Sequence, residues 1–445
     1  MEYSKKTYLL PMRMVLFYLI FSLLLYAFGP FRWETFHPII FWTLNIFFLL
    51  SIWAGWIFSL KTKNRSCKKI WNKDDEYELA HRLKMFIWIN IVFEILNTMR
   101  RFRLNSFDVF GILDVWMRGL ENPGLAYSEL HTEEVVSGNL VGGLALTIFN
   151  LAFSFFSFNI FLLAGILFKR YNCIYRFIIV FMYVFVVLEY LSTGTNIGAF
   201  RVILAVIVFW GIKIIRAQKK HITFKSKEKR IFILASIVGI VAFLSIFNEI
   251  MQSRGGILMW ASYNYNVGGV GLDRDSFIFE IIPSDLWMFI IAISSYISQG
   301  YYGMSLSLTL DWEPCFGLGH TKALYLLMPD LLEPIYHNTY QHRLNGFGWD
   351  EDVQWHTLYS WFANDFSYIG VIFVMFIIGF VFCKAYYDVL TYNNPYAKLV
   401  TYYFVLMCVF IPCNNQVFQS SYILFAFIGA MIVWIFSRRG VRVKL

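Results

Sequence analysis

Residues 366–385, with the sequence FSYIGVIFVMFIIGFVFCKA, contain only one charged side chain, that of Lys384. A helix of twenty residues is about 30 Å long, which is the thickness of the hydrocarbon core of a bilayer. Similar apolar stretches recur along the whole chain of 445 residues, which is 58% hydrophobic and 15% charged, whereas soluble domains contain about 25% charged residues. The sequence therefore predicts an all-α polytopic membrane protein, in which the bilayer replaces a large buried core.

About ten stretches are predicted to be transmembrane helices. They are residues 14–29, 38–60, 83–99, 141–168, 177–194, 198–216, 231–249, 366–385, 397–413 and 420–437. We expect one integral membrane domain over residues 1–445. Because no small-x-small cleavage site follows the first span, it is expected to remain as a signal anchor. The six cysteines show neither metal-type nor redox-type spacing, and no disulfide framework is expected.

An eleventh apolar run, residues 286–310, decides the topology. If it crossed the membrane, Lys384, Lys398 and the basic tail 438–444 would be translocated, against the rule that basic loops stay in the cytoplasm. We therefore expect a re-entrant or interfacial segment there, with both termini in the cytoplasm. Residues 250–364 then form one large loop on the opposite side, between the seventh and eighth helices. The net charge of +9 is interpreted as a signal for orientation and for contact with anionic membrane lipids, with no nucleic-acid partner.

The basic residues expected outside the cytoplasm are almost all arginine, whose planar guanidinium can hold a phosphate group with two hydrogen bonds. They are Arg32, Arg100, Arg101, Arg103, Arg118, Arg201, Arg254, Arg274, Lys322 and Arg343. Since orientation needs only charge, this preference indicates that some of them bind a phosphorylated ligand.

Arg201 is the residue that we would first assign to a pyrophosphate. It follows the glycine-bearing turn 192–198 at the start of a predicted helix, where unpaired N–H groups and the helix dipole favour an anion. Glu189, one turn inside the preceding span, is a plausible partner. The structural alternative is an arginine that extends toward lipid headgroups.

Polar residues in the third predicted span form a single stripe. Asn90, Glu94, Asn97 and Arg101 lie at i, i+4, i+7 and i+11, which places all four on one helical face. A carboxylate facing lipid is costly, so this stripe must face the bundle or a wet cavity. Glu94 and Arg101 therefore line a substrate site or belong to an internal hydrogen-bonded strut.

The large predicted loop is rich in histidines, carboxylates and aromatic residues, which suits a groove for a glycan; an interfacial aromatic belt is the competing interpretation. Asp273 and Asp275, and likewise Asp350 and Asp352, match the loose DxD spacing of some metal sites. Such pairs arise easily by chance among so many carboxylates, and neither a metal nor another cofactor is expected. The sequence contains no motif of a serine hydrolase, a zincin or a P-loop ATPase.

Four segments of the chain resemble the Wzy-type oligosaccharide repeat unit polymerases. They are STGTNIGAFR (192–201), YISQGYYGMSL (296–306), GLGH (317–320) and WFANDFSYIG (361–370). The resemblance implies a multi-pass enzyme of the bacterial inner membrane that acts on undecaprenyl-pyrophosphate-linked oligosaccharides at the periplasmic face. Such an enzyme extends O-antigen, the polysaccharide part of lipopolysaccharide, or capsule or exopolysaccharide, and a chain-length regulator and a flippase would be its partners.

The implied reaction fits the residues. Because a lipid pyrophosphate is already a good leaving group, the protein need only neutralise the departing charge, orient the acceptor hydroxyl and remove its proton. For the first task we would choose Arg201, with Arg254 or Arg274, and Arg101, Glu94 and Arg343 are further candidates for substrate binding. For the base we would test His320, Asp350 and Asp365.

Two other functions stay open at this point. An O-antigen ligase-like transferase would use a similar donor and a similar set of arginines. A flippase or other transporter of lipid-linked oligosaccharides would be expected to show internal repeats and several charged residues near the membrane midplane. No repeat is visible, and Glu94 is the one clearly mid-span acid of the sequence.

Overall fold

The computed structural model describes residues 3–62, 69–102, 104, 109–136, 152–219, 226–255 and 265–439. These residues are mainly helical. The helices are α1 (Lys5–Phe28), α2 (Pro38–Lys61), α3 (Lys73–Arg101), α4 (Val109–Glu121), α5 (Pro123–Val136), α6 (Ser157–Ile166), α7 (Cys173–Ser192), α8 (Ile197–Lys219), α9 (Ser226–Gly255), α10 (Phe277–Ile281), α11 (Trp287–Ser307), α12 (Lys322–Leu327), α13 (Pro329–Tyr336), α14 (Tyr340–Leu344), α15 (Leu358–Tyr392), α16 (Pro395–Phe410) and α17 (Ser421–Arg438).

Among the described residues, strands occur in one small hairpin. Strands β1 (Asn266–Val267) and β2 (Val270–Gly271) pair antiparallel, with Asn266 opposite Gly271. Gly268 and Gly269, which connect them, both have positive φ angles of 55° and 84°, a conformation that glycine adopts without steric cost. The all-α fold class predicted from composition is therefore confirmed.

Among the described residues, seven helices are long and apolar enough to cross a membrane, and each coincides with one of the predicted spans. They are Lys5–Phe28, Pro38–Lys61, Cys173–Ser192, Ile197–Ala217, Arg230–Ile250, Leu358–Tyr392 and Ser421–Arg438. The chain is thus a multi-pass membrane protein. The predicted third span lies in the helical but more polar α3, and the predicted ninth span corresponds to the shorter apolar helix Pro395–Phe410. Of the predicted fourth span, the part before residue 152 lies outside the described residues.

The contacts of the chain divide it into two compact units. The first unit comprises Met1–Arg65, Trp260–Tyr387 and Tyr403–Leu424. The second comprises Ser66–Met259, Asp388–Tyr402 and Phe425–Leu445. The predicted membrane domain thus has two internally compact parts, and the candidate site residues are distributed between them.

In the first unit, α2 and α15 pack at very short distance because each has a glycine at the contact. A Cβ atom on Gly55 would lie 2.0 Å from the carbonyl oxygen of Phe376, and one on Gly379 would lie 2.1 Å from that of Ile52. No side chain fits in this space. Close approach through small residues is a common way for helices to associate within lipid, where burial of apolar surface gives no net advantage.

The run 286–310 contains one continuous helix, α11, and the reversal expected of a re-entrant hairpin is not found in it. Its side chains bind the connection between α1 and α2 at two points seven residues apart. The indole of Trp33 donates to the hydroxyl of Ser298, and the backbone N–H of Phe36 donates to that of Ser305. The helix also packs alongside α1, where the hydroxyl of Tyr301 lies 2.9 Å from that of Ser22; the interfacial alternative stays a prediction.

In the second unit, ion pairs that are buried or largely buried join helices that are distant in sequence. The guanidinium of Arg170 donates to the carboxylate of Glu76 at 2.6 Å, and this carboxylate also accepts a hydrogen bond from Asn393 at 2.7 Å. In α15, Asp388 accepts hydrogen bonds from Trp434 at 2.9 Å and pairs with Arg438 at 2.8 Å. A buried charge requires such partners, because an unpaired one would be strongly destabilising.

Candidate active site

The carboxylate of Asp365, near the start of α15, is the centre of a tightly bonded loop in the first unit. Its Oδ1 accepts the backbone N–H groups of Gly317 at 2.7 Å and Gly319 at 3.0 Å, and its Oδ2 accepts that of His320 at 2.9 Å. The side chain has no exposed surface. The loop 315–320 can wrap around it because Gly317 has a φ of +85°, which a glycine tolerates.

The imidazole of His320 is oriented by the same carboxylate. Its Nδ1 lies 2.6 Å from Oδ2 of Asp365. Because an ionised carboxylate only accepts hydrogen bonds, Nδ1 must carry the proton, which leaves Nε2 of the neutral ring as an acceptor. A histidine whose Nδ1–H is held by a buried carboxylate has the arrangement of a general base.

Aromatic side chains fix the plane of the His320 ring. The ring stacks on Phe362 with 5.0 Å between centroids, and Phe418 packs edge-on at 5.2 Å. The backbone carbonyl of His320 accepts a hydrogen bond from Asn415 at 2.8 Å. The side chain is 18% exposed, so the histidine is held rigidly and remains accessible.

Asn364 positions the loop from the other side. Its side-chain amide donates to the carbonyl of Gly319 at 2.9 Å and to Oε1 of Gln341 at 2.7 Å, and its Oδ1 accepts the N–H of Tyr340 at 2.9 Å. The four residues that form these hydrogen bonds are all buried: Asn364, Gly319, Gln341 and Tyr340. Asn364 therefore links α14 and the His320 loop to α15, immediately before Asp365.

Two strained residues flank the His320–Asp365 pair. Phe316 has a φ of +52°, and Ser367 has a φ of +55° with a ψ of 166°. Side chains with a Cβ rarely adopt these conformations, which cost about 1–3 kcal/mol each and persist only where the surrounding structure enforces them. Such strain is typical of functional sites.

Cys315 lies next to the pair but is unsuited to act as a nucleophile. Burial, together with the negative charges of Asp365 and Glu313, raises the pKa of its thiol to about 12. The reactive form of cysteine is the thiolate, which is therefore essentially absent at neutral pH. Of the groups around the loop, His320 is the one suited to proton transfer.

Asp350, the third predicted candidate for the base, has a different environment. Its side chain accepts the backbone N–H of Asp352 at 2.8 Å, and its carbonyl accepts that of Gln354 at 2.7 Å. It thus stabilises a surface turn. Asp352 in turn pairs with Lys322 at 2.8 Å. The structure therefore joins two of the three predicted residues, His320 and Asp365, and places Asp350 in this turn.

A second pair of a histidine and a carboxylate was not singled out from the sequence. Glu351, whose side chain is 9% exposed, lies 2.9 Å from Nδ1 of His342 and accepts hydrogen bonds from Asn345 and from the hydroxyl of Tyr336. Burial and the Glu351 charge raise the pKa of Tyr336 strongly. Glu351 and His342 lie nine residues apart in an irregular loop, where no periodicity indicates that they meet.

Three predicted arginines lie elsewhere in the chain. Arg343 donates to the carbonyl of Asp311 at 2.7 Å and pairs with Glu313 at 3.3 Å. Arg274 is exposed and lies between two aspartates that pair with Arg32, Asp273 at 3.0 Å and Asp275 at 3.4 Å. Arg254 belongs to the last turn of α9, and its side chain lies outside the described residues.

The DxD pairs do not form a metal site with other residues. In the part of the chain that the structure describes, no group of three or more histidine, cysteine, aspartate or glutamate side chains is arranged to hold a metal ion. The aspartates at 273 and 275 instead share one guanidinium.

In the second unit, two arginines meet at the ring of Tyr190. The guanidinium carbon of Arg101 lies 5.4 Å from the ring centroid and that of Arg201 lies 5.8 Å from it. Arg201, which is 6% exposed, also donates to the Tyr190 hydroxyl at 3.3 Å. Glu189 pairs with Arg101 at 3.1 Å. The predicted partner of Arg201 is therefore the partner of Arg101.

Three backbone N–H groups of the turn before Arg201 form hydrogen bonds to carbonyl groups just before them. Those of Thr193 and Thr195 donate to the carbonyl of Tyr190, and that of Gly194 donates to the carbonyl of Leu191. These three N–H groups are therefore paired within the turn. The guanidinium groups of Arg101 and Arg201 are further donors to an anion in this region.

Part of the polar stripe of α3 forms internal hydrogen bonds to a neighbouring helix. The hydroxyl of Ser157 in α6 lies 2.6 Å from Oδ1 of Asn90 and 2.7 Å from Oε1 of Glu94. Both residues also border a small, mainly apolar cavity, which is lined by Asn90, Ile91, Glu94, Ile95, Phe161, Phe181, Met182, Phe185 and Val186. For Asn90 and Glu94, the structure therefore provides the hydrogen bonds of the strut interpretation.

No protein-family model, curated protein or solved structure matches this chain. The similarity to the polymerases thus depends on the four short segments alone. Segments 317–320 and 361–370 meet at the His320–Asp365 pair. Segment 296–306 belongs to α11 in the same unit and ends beside Ser307, whose hydroxyl is hydrogen-bonded to that of Tyr368. Segment 192–201 is the Tyr190–Arg201 turn of the second unit.

Proposed function

We propose that this chain is a membrane glycosyltransferase that polymerises undecaprenyl-pyrophosphate-linked oligosaccharide repeat units. The single observation that carries the proposal is the His320–Asp365 pair, because it offers an oriented base at the junction of two segments that resemble the polymerases. In this proposal the pair faces the periplasm of a bacterium, both termini are cytoplasmic, and the product is O-antigen, capsule or exopolysaccharide. A chain-length regulator and a flippase would be its partners.

The proposed reaction has one transfer step. Nε2 of His320 removes the proton from a hydroxyl group on the terminal sugar of the incoming unit. The oxygen then attacks C1 of the first sugar of the donor glycan, a new C1–O bond forms, and the bond from C1 to the pyrophosphate oxygen breaks. Undecaprenyl pyrophosphate leaves with the electron pair of that bond. Asp365 stabilises the imidazolium that forms on His320.

We further propose that Arg101 and Arg201 bind a pyrophosphate group. Two guanidinium groups around one tyrosine ring provide several N–H donors, and one of them, that of Arg101, is held by Glu189. Stabilising a departing anion with positioned donors is usually the largest single contribution to such a reaction. This assignment is made for the second unit by itself and is tested separately from that of His320.

The experiment combines the purified protein in lipid nanodiscs with synthetic undecaprenyl-pyrophosphate repeat units. We expect a ladder of lengthened lipid-linked glycans on a gel, which His320→Gln abolishes and Asp350→Asn leaves intact. Transfer to lipid A core without lengthening would favour the ligase-like alternative. In sealed proteoliposomes, movement of the lipid-linked sugar across the bilayer without any lengthening would favour the transporter and contradict the proposal.

A further inference from the structure

An apolar stripe runs along α15 directly from the candidate site. Phe366 is 45% exposed, Ile369 76%, Phe373 66% and Ile377 43%. Ile369, Phe373 and Ile377 are spaced by four residues and share one helical face, whereas Phe366 precedes the kink of α15 at Ser367, where φ is 55° and ψ is 166°. Because α15 is long and apolar enough to cross a membrane, exposed apolar side chains along it are suited to contact with lipid acyl chains.

The His320 loop is attached at the end of this stripe. The N–H of Gly317 donates to Asp365, the residue immediately before Phe366, at 2.7 Å. The ring centroid of His320 lies 6.4 Å from that of Phe366. His320 therefore lies near both the buried ring of Phe362, at 5.0 Å, and the exposed ring of Phe366.

Two large aromatic side chains are exposed at this loop and just before it, those of Phe316 and Trp312. Phe316 is 80% exposed, and Trp312 is 45% exposed while its indole N–H donates to the carbonyl of Asn364 at 3.2 Å. In water a phenylalanine so exposed gains nothing, and at Phe316 the backbone φ of +52° is itself unfavourable for a residue with a Cβ. A site of contact with lipid accounts for the phenylalanine, because aromatic rings are stabilised at the boundary between hydrocarbon and water.

We propose that Phe316, with Trp312, inserts into the interfacial region of the bilayer and holds His320 at the membrane surface. The partner of this surface is the lipid bilayer, because Trp312 and the loop of Phe316 are hydrogen-bonded to Asn364 and Asp365 at the start of α15, a helix long and apolar enough to cross a membrane. The inference does not depend on the reaction that His320 performs. If the proposed function is correct, it explains how a substrate on a lipid carrier reaches His320 laterally, without leaving the membrane.

The test places a photoreactive phenylalanine analogue, p-benzoylphenylalanine, at position 316 of the full-length protein in nanodiscs of phosphatidylcholine and phosphatidylglycerol. The analogue retains the aromatic side chain, so the proposed contact is preserved. Ile369 is the reference position that faces lipid. Asp275, whose side chain is 92% exposed, is the reference position in water. After irradiation, lipid adducts are quantified by mass spectrometry.

We expect position 316 to yield lipid adducts within about threefold of position 369, because both side chains would contact lipid, and position 275 to yield almost none. A yield at 316 no greater than that at 275 would overturn the proposal. As a second measurement, hydrogen exchange of the loop 312–320 is compared between Phe316→Leu and Phe316→Asn in nanodiscs. Faster exchange in the asparagine variant alone is expected, since leucine retains the apolar contact; equal exchange in both variants would contradict the anchoring role.

Discussion

Nδ1 of His320 and Oδ2 of Asp365 are 2.6 Å apart, although the two residues are separated by 45 positions in the sequence. Three backbone N–H groups from the loop of the histidine bind the same carboxylate. Because all these donors point at one buried carboxylate, its ionised form is stabilised and the histidine is restricted to a single tautomer. A change at Asp365 should therefore act through His320.

Asp365→Asn is expected to lower glycan lengthening on the order of a thousandfold. The amide can donate to Nδ1, which would favour the tautomer with the proton on Nε2 and so remove the base. The measurement is the initial rate of ladder formation in nanodiscs. The double variant His320→Gln, Asp365→Asn should be no slower than His320→Gln alone, because the two residues act as a unit. Additive losses would mean that Asp365 has a separate role.

Asp350→Asn is the matched control for this prediction. Its carboxylate accepts one backbone N–H in an exposed turn, and an amide oxygen can accept the same hydrogen bond. We expect a rate within about twofold of the parent, as for surface substitutions in general. If Asp350→Asn abolished lengthening while Asp365→Asn did not, the assignment of the base would be wrong.

Seven of the ten predicted spans coincide with helices long and apolar enough to cross a membrane, because twenty apolar residues in a row have few alternatives. The sequence also pointed to His320 and Asp365, but only as separate candidates. Their contact depends on how the loop 315–320 folds over α15, and irregular loops carry no periodicity from which such a contact could be predicted. For the same reason the Glu351–His342 pair was missed.

The contacts of Arg101 and Arg201 at Tyr190 could not be predicted from the sequence for a different reason. Helical periodicity correctly indicates which residues of α3 share a face, yet it does not indicate which neighbouring helix this face contacts. Glu189 was therefore assigned to Arg201, which is near in sequence, whereas it pairs with Arg101 from α3. The turn before Arg201 was interpreted as a source of unpaired N–H groups, but its threonines and glycine close the turn with them.

Arg201→Lys is expected to reduce lengthening at least about tenfold, nearly as much as Arg201→Ala, because an ammonium group cannot reproduce the planar, two-pronged contact of a guanidinium with phosphate. Inorganic pyrophosphate should also compete less well against the lipid-linked donor in both variants. Arg343→Lys is the control, since Arg343 binds Asp311 and Glu313 of its own loop. A lysine variant of Arg201 as active as the parent would contradict the assignment of Arg201 to pyrophosphate.

Ser367→Gly should stabilise the protein by about 1 kcal/mol, because glycine adopts the backbone conformation at this position without strain. Ser367→Ala should give no such gain, since alanine retains the Cβ. The midpoint of thermal unfolding in detergent measures both. If the strain at Ser367 also serves to position Asp365 two residues earlier, the glycine variant will be more stable and less active. An equal effect of glycine and alanine would show that the backbone of Ser367 is not strained.

His356→Gln should make the stability of the protein less sensitive to mildly acidic pH. Burial, with a smaller contribution from the positive charge of Lys322, lowers the pKa of His356 from 6.5 to about 3. Between these two values the unfolded chain binds a proton at His356 and the folded chain does not, so stability decreases as the pH falls below 6.5. The decrease approaches about 1.4 kcal/mol per pH unit and reaches about 2 kcal/mol between pH 7 and pH 5. Glutamine cannot titrate and removes this contribution.

The measurement is the free energy of unfolding in detergent across that pH range. His337→Gln is the matched control, because the side chain of His337 is 51% exposed. Unchanged pH dependence in His356→Gln, or an equal change in both variants, would mean that the buried imidazole at position 356 is not the source of the acid sensitivity.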